Sequence, residues 1–342
     1  MNQPAPSTAN RQIARAAGTV MAGFVLSNLT GLVRQILVSN AFGTAAEIDA
    51  FNAAARVPDT LFVLVAGGAL ASAFIPTLTG YLEKDDRAPA WELASTVMNL
   101  ITVLLAGISV LAGFLAPWLV GFVLAPSFDP AQQALTVSIL RILLISPAVF
   151  GVSGLIMGVL NTHQHFLLPA LAPTLHWIGW IVGVVVFVPS LGIHGLAWGA
   201  VLGAGLHLAV QVPGLRNLKG VRYSPRLLPA SREVAASLRE VIRLMGPRVF
   251  GTAVVQLNFW VSVILASGMP EGSLTAIGVA FAVMTMPQVV IAQAIAIAAL
   301  PTFSAQAARG ELAEMRASLA AVLRGVILLS VPAMGGLILL RY

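Results

Sequence analysis

The sequence contains no cysteine, which excludes a disulfide-stapled secreted domain. It is also poor in charge. Only 9% of its 342 residues are Asp, Glu, Lys or Arg, about a third of the roughly 25% found in an average soluble domain. So few charges exclude a cytosolic enzyme, and they exclude a disordered chain, which needs low hydrophobicity with high charge. No glycine-rich phosphate loop is present, so ATP hydrolysis is not expected, and no hydrolytic or redox centre emerges. What the chain has instead is apolar surface: 58% of its residues are hydrophobic and the mean hydropathy is +0.91. A bilayer, rather than a buried core alone, must dispose of that surface.

A hydrocarbon core about 30 Å thick needs roughly 20 apolar helical residues to cross it. Nine stretches of that scale occur, near 18–41, 51–80, 93–123, 135–160, 167–188, 192–213, 240–267, 274–305 and 317–340. They are continuous and lack a sustained period of two, which argues against a transmembrane barrel. The expected fold is an all-α polytopic membrane protein of about nine transmembrane helices. Pro58, Pro76, Pro147, Pro173, Pro247, Pro287 and Pro301 fall inside or at the ends of these spans. They suggest bent helices that line a cavity.

The basic residues fix an orientation. With the N-terminus inside, 15 of the 19 Lys and Arg residues fall in cytoplasmic segments, eight of them between Arg216 and Arg248. The opposite loops carry Glu47, Asp49, Asp129 and Glu271. This phase satisfies the positive-inside rule and the inverted phase does not. The net charge of +6 and pI near 10.7 are therefore a topology signal first. Contact with lipid phosphates is a secondary reading for the 216–248 stretch, and nucleic acid is not an expected partner. The polar N-terminus with Arg11 and Arg15 looks like a signal-peptide start, but the apolar run after it is broken by Asn28 and Arg34 and no cleavage site follows. An uncleaved first helix is expected.

The longest polar stretch, 214–239, has two prolines and clustered arginine and follows the sixth span. It reads as a cytoplasmic linker between a six-helix N-terminal lobe, 1–213, and a C-terminal portion, 240–342. Ala73-Phe74-Ile75-Pro76-Thr77 is similar to Ala298-Ala299-Leu300-Pro301-Thr302, and Ala94-Ser95 to Ala317-Ser318, at nearly constant spacing. That repetition predicts a second lobe related to the first by a pseudo-twofold axis along the membrane normal. Only its first three helices are expected in this sequence, which looks C-terminally truncated.

On the first helix, Ser27, Asn28, Gly31, Arg34, Gln35 and Ser39 share one face. An arginine in mid-span costs ~2.5–3.5 kcal/mol on insertion scales, so Arg34 should meet a wet cavity or a partner; the alternative is snorkelling to the headgroups. Arg56 and Asp59, at i and i+3, can pair. His163 and His165 form a His-x-His without nearby carboxylates, so a metal site is not expected there. His176 and His207 read as single polar packing residues, with proton relay as the minority reading. Gly154-xxx-Gly158 and Gly195-xxx-Gly199-xxx-Gly203 predict close helix packing.

These residues resemble a known family, the MurJ (MviN) lipid II flippases of the multidrug/oligosaccharidyl-lipid/polysaccharide exporter superfamily. The resemblance runs along nearly the whole chain. It rests on Gly31-Leu32-Val33-Arg34 with Phe42-Gly43 and Asp49-Ala50-Phe51, then Pro58 and Ala73-Phe74-Ile75-Pro76. Leu160-Asn161-Thr162, Ala172-Pro173-Thr174-Leu175, Leu196-Ala197-Trp198, Gln211-Val212-Pro213 and Met245-Gly246-Pro247 continue it. It implies fourteen helices in two six-helix lobes plus a final pair. It also implies a transporter rather than an enzyme: alternating-access export of an undecaprenyl-diphosphate-linked peptidoglycan precursor across the bacterial inner membrane, with the bilayer and the cell-wall synthesis machinery as further partners. No cofactor or metal is called for.

By that resemblance the substrate cavity takes Ser27, Asn28, Arg34, Asp49 and Arg56 from this chain. Arg34 and Arg56 match basic positions of the family and Asp49 an acidic one. Three other arginine positions hold Asn28, Phe62 and Ala282, and a nearby acidic position holds Thr285. Losing three cations weakens the fit to a diphosphate, which bidentate arginine meets best. Two further readings stay open: an exporter of another lipid-linked oligosaccharide, and a non-transporting membrane scaffold or regulator.

Overall fold

The computed structural model describes residues 8–66, 74–218, 221–287 and 310–339, together with positions 299, 303 and 306. Helix is the regular secondary structure of the described residues, with no strand among them. Helix α1 runs Thr8–Phe42 and stops where Gly43 turns to φ +57°, a left-handed conformation that glycine adopts without steric cost. α2 (Ala46–Ala66) carries Pro58 inside it, and α3 (Ile75–Glu83) starts with Pro76 in its first turn. α4 (Arg87–Phe114) is followed by the short α5 (Ala116–Trp118) and a π-helical turn, Leu119–Leu124. The N-cap of α6 (Pro130–Leu143) is Asp129, whose carboxylate accepts the Gln132 N–H at 2.8 Å.

α7 (Ser146–Thr162) opens on Pro147, and α8 (Leu167–Val182) holds Pro173 inside and continues through a π-helical segment, Gly183–Phe187, into α9 (Val188–Leu191). α10 (Ile193–Ala209), α11 (Val212–Arg216), α12 (Arg232–Ser267), α13 (Ser273–Pro287) and α14 (Leu312–Leu339) complete the order. Pro247 lies inside α12 and Pro287 ends α13, while Pro301 falls outside the described residues. The copy of the repeat at 298–302, and Ala73 in the first copy, lie largely outside them as well.

Seven of these helical stretches are long and apolar enough to cross a bilayer: Gly18–Phe42, Arg87–Phe114, Pro130–Thr162, Leu167–Leu191, Ile193–Arg216, Arg232–Ser267 and Leu312–Leu339. The chain is a multi-pass membrane protein. The other two expected spans, 51–80 and 274–305, both run into residues that are not described.

Two compact units are distinguished, Met1–Leu274 and Thr275–Tyr342. Within the first, one apolar cluster joins α2, α6 and α10, where Ala50, Ala53 and Ala54 bring the α2 backbone close to Ile139, Leu140 and Leu196. A second joins α3, α4 and α7 around Phe74, Leu93 and Leu160. α8 and α10 meet through glycine: a Cβ at Gly199 would land 2.5 Å from the Cα of Gly183, and one at Gly195 2.5 Å from the backbone of Phe187. The Gly195-xxx-Gly199-xxx-Gly203 expectation of close packing holds for that reason. Arg141 donates from Nε to the Gly113 carbonyl at 3.2 Å, placing a cation at the C-terminal end of α4.

The linker crosses α4 as an extended strap. Asn99 Nδ2 donates to the carbonyls of Ser224 and Arg226, both at 2.8 Å, and Glu92 Oε1 accepts the backbone N–H groups of Ala230 and Ser231. In the second unit α14 exposes apolar residues such as Leu328, Val331 and Leu339, as a helix facing hydrocarbon does, and Gln306 donates to the Ser318 hydroxyl at 2.9 Å.

Candidate functional site

The first unit holds a cavity of ≈ 620 Å³ walled by α1, α2, α7, α8 and α10, with Leu143 of α6 also in its lining. Two of its walls carry a proline inside the helix, Pro58 on α2 and Pro173 on α8. A proline removes one backbone N–H and the hydrogen bond it would make, so a helix yields there. The lining is mostly apolar. Among the described residues its polar members are Ser27, Asn28, Asp59, Ser146, His176 and His207, with no lysine or arginine.

The face of α1 read from the sequence is the face that meets α8. Gly23 and Gly31 make room: a Cβ at Gly23 would strike Ala170, and one at Gly31 would sit 3.3 Å from the Trp177 indole nitrogen. Ser27 is buried beside the cavity, and Asn28 faces it while Nδ2 donates to the Phe24 carbonyl at 2.8 Å. Arg34 lies two turns further along. Its guanidinium carbon sits 4.7 Å from the Trp177 ring centroid and 4.9 Å from that of Trp180, and its Nε is buried without a hydrogen-bond partner. Each cation–π contact is worth about 0.5–2 kcal/mol, so the two together rival the ~2.5–3.5 kcal/mol cost of a mid-span arginine. Arg34 is therefore held at the cavity wall, behind the tryptophans, with no direct ion pair among the described residues.

The other expected residues lie on α2 and diverge. Asp59 is exposed to the cavity, within the electrostatic reach of both Arg56 and Arg34. No ion pair closes between Arg56 and Asp59, because Arg56 turns toward α12, with its guanidinium carbon 5.7 Å from the Phe259 ring. Asp49 is buried at the far end of α2 and accepts the Gly272 N–H at 2.8 Å. Nearby, Glu271 accepts the Ala46 N–H at 2.8 Å, and Trp260 Nε1 donates to the Thr60 hydroxyl at 2.8 Å. Ser27, Asn28 and Asp59 thus share the cavity, Arg34 backs it, Arg56 sits on the α2–α12 seam and Asp49 holds the turn between α12 and α13. Ala282 and Thr285 are on α13, where the Thr285 hydroxyl donates to the Phe281 carbonyl at 2.9 Å.

The aromatic part of the wall is the part a sequence reading overlooks. Phe150 of α7 lies edge-on between His176 and His207, with ring centroids 5.0 and 5.3 Å away. His207 Nδ1 is 2.6 Å from the Ser153 hydroxyl, which also accepts from Gln211 Nε2 at 2.7 Å, so His207 belongs to a buried network. The usable signal was the run His176-Trp177-x-x-Trp180, whose i, i+1, i+4 spacing puts three rings on one side of α8.

With this geometry in view, the comparisons with known proteins are informative. The family model described as Lipid II flippase MurJ matches residues 38–341. The Lipid II flippase MurJ of Burkholderia cenocepacia is 31% identical over 322 residues, which cover 93% of this chain and 62% of that protein. A probable lipid II flippase MurJ of Bdellovibrio bacteriovorus is also 31% identical, over 88% of this chain and 57% of its own length. The chain therefore spans less than two thirds of the relatives it matches. Among solved structures, a lipid II flippase MurJ in an inward closed conformation superposes with a TM-score of 0.76 at 21% identity, covering 94% of this chain and 65% of that one. An inward-facing multidrug resistance MATE transporter of the MOP superfamily gives 0.74 at 16% identity, over 94% and 73% of the two chains. A family match of this extent, on a helical bundle with the same fold as a solved member, places the sequence: the chain belongs to the MurJ family of lipid II flippases.

Proposed function

We propose that the chain acts in moving lipid II, the undecaprenyl-diphosphate-linked peptidoglycan precursor, across the bacterial inner membrane by alternating access. The observation that carries this reading is the family match over residues 38–341. In this reading residues 1–213 form one lobe and 240–342 part of a second, joined by a cytoplasmic linker at 214–239. The N-terminus is cytoplasmic, supported by the basic residues of the linker. Ser27, Asn28, Arg34, Asp49 and Arg56 serve the substrate cavity, with Arg34 supplying charge to the diphosphate, and the cell-wall synthesis machinery receives the product. Because the chain lacks cysteine, Arg226→Cys and Ser127→Cys should label from opposite sides of the membrane. Labelling of both from one side overturns the orientation.

A second reading is favoured by one observation. The described cavity wall holds Asn28, Phe62 and Asp59 but no arginine or lysine, so a lipid-linked oligosaccharide with a different headgroup suits it as well. Depletion of a resident lipid II flippase, followed by rescue with the full open reading frame, separates the two. Rescue supports lipid II; its failure in stably inserted protein supports the other glycan. In the rescuing background Arg34→Ala should abolish growth while membrane insertion persists. Arg34→Lys should recover little, since an ammonium cannot stack flat on Trp177 and Trp180 as a guanidinium does. Near-normal rescue by Arg34→Ala overturns the assignment of that residue.

A further inference from the structure

The two tryptophans under Arg34 are held by different means. Trp177 is seated by packing against Gly31 of α1. Trp180 is fixed by a hydrogen bond: its indole N–H donates to His176 Nε2 at 3.2 Å. To accept there, His176 must be the neutral imidazole that carries its proton on Nδ1. Nδ1 is buried against the backbone of Gly203 of α10, a polar neighbour that favours the proton there. A second proton therefore has one place to go, the nitrogen that receives Trp180. Its arrival would set two N–H groups against each other. It would also create an imidazolium beside rings whose faces already carry a guanidinium, with the His176 ring 4.9 Å from Trp177 and 6.1 Å from Trp180.

We propose that His176 and Trp180 form a proton-sensitive latch that positions Arg34 at the cavity wall. The neutral imidazole keeps Trp180 beneath the guanidinium. A proton reaching Nε2 from the cavity, which His176 lines, releases Trp180 and repels Arg34. Three charged or titratable groups face the latch. Arg34 of α1 opposes a second cation, His207 of α10 stands across Phe150 of α7, and Asp59 of α2 is the one acid among the described residues of the same wall. His207 differs from His176 in that its Nδ1 is bound by Ser153, so its protonation does not disturb a tryptophan. The consequence for transport rests on the reading of Arg34 as the headgroup-facing cation; the latch itself does not.

The test is tryptophan emission from the full chain in nanodiscs, titrated from about pH 8 down to about pH 3, below the range in which a free imidazole changes charge, because burial and the facing Arg34 both oppose an imidazolium here. It is done in a Trp91→Phe background, because the Trp91 ring stacks on His163 at 6.0 Å and would report that imidazole instead. A reversible step is expected. His176→Gln, which offers Trp180 an acceptor oxygen but takes no proton, should lose the step, and His207→Gln should keep it. Absence of a step in the parent, or its persistence in His176→Gln, overturns the proposal. Should His176→Gln not fold, Trp180→Phe decides: an undiminished step without that ring also overturns it. Failure of the lipid II reading leaves the step intact, so the two failures are distinguishable.

Discussion

The seam between α8 and α10 is built of bare backbone, with Gly179 and Gly183 facing Gly199 and Gly203, whereas the linker strap across α4 is built of side-chain hydrogen bonds from Glu92, Ser95 and Asn99. The difference follows from the solvent. Within the hydrocarbon, apolar side chains gain little by leaving lipid for protein, so helices associate by close van der Waals contact, which small residues permit. The strap is polar chain with exposed Arg222, Arg226 and Arg232, where backbone groups compete with water and each net hydrogen bond contributes only about 0.5–1.5 kcal/mol. The first seam is therefore all-or-none and the second graded.

The sharpest way to break this contrast is Gly199→Leu. Its Cβ alone would fall 2.5 Å from the Gly183 Cα, a backbone atom that cannot rotate away, and overpacking a fitted site costs about 1–3 kcal/mol or more. We expect the variant to lose the α8–α10 seam and with it the cavity. The loss should be read as a collapse of the monodisperse fraction on size exclusion in detergent. A variant as monodisperse and as thermally stable as the parent would show that the helices can separate without consequence.

The glycine seam was legible in sequence because a four-residue repeat of the smallest residue has few other uses in an apolar helix. So was the α1 stripe, since Gly31 and Arg34 fall on one side of any helix and the structure turns that side to α8. The partners of the stripe were not legible. Trp177 and Trp180 sit in an apolar segment where an aromatic facing lipid and one facing an arginine have the same neighbours in sequence. Arg56 shows the same limit: its spacing lets it pair with Asp59, yet the Phe259 face of a helix some 200 positions away claims it. Local spacing gives the side of a helix, and only the tertiary fold gives what stands opposite.

The graded seam yields a smaller effect, with an internal control. Asn99 makes three contacts with the strap, donating to the Ser224 and Arg226 carbonyls and accepting from the Tyr223 hydroxyl at 2.7 Å. Asn99→Ala removes all three and should cost about 1.5–3 kcal/mol locally, less than their simple sum because the freed carbonyls reach water. The strap contains Arg222 and Arg226, so trypsin cleavage between residues 222 and 232 should accelerate while the helical bundle keeps its thermal stability. Glu92→Gln is milder still. It retains an acceptor oxygen for the Ala230 and Ser231 N–H groups and loses only the charge at the α12 N-terminus, worth about 0.3–1 kcal/mol. Cleavage should therefore rank Asn99→Ala above Glu92→Gln above the parent. If Asn99→Ala instead lowered the stability of the whole bundle as Gly199→Leu does, the strap would belong to the same cooperative unit as the glycine seam, and the contrast between the two would fail.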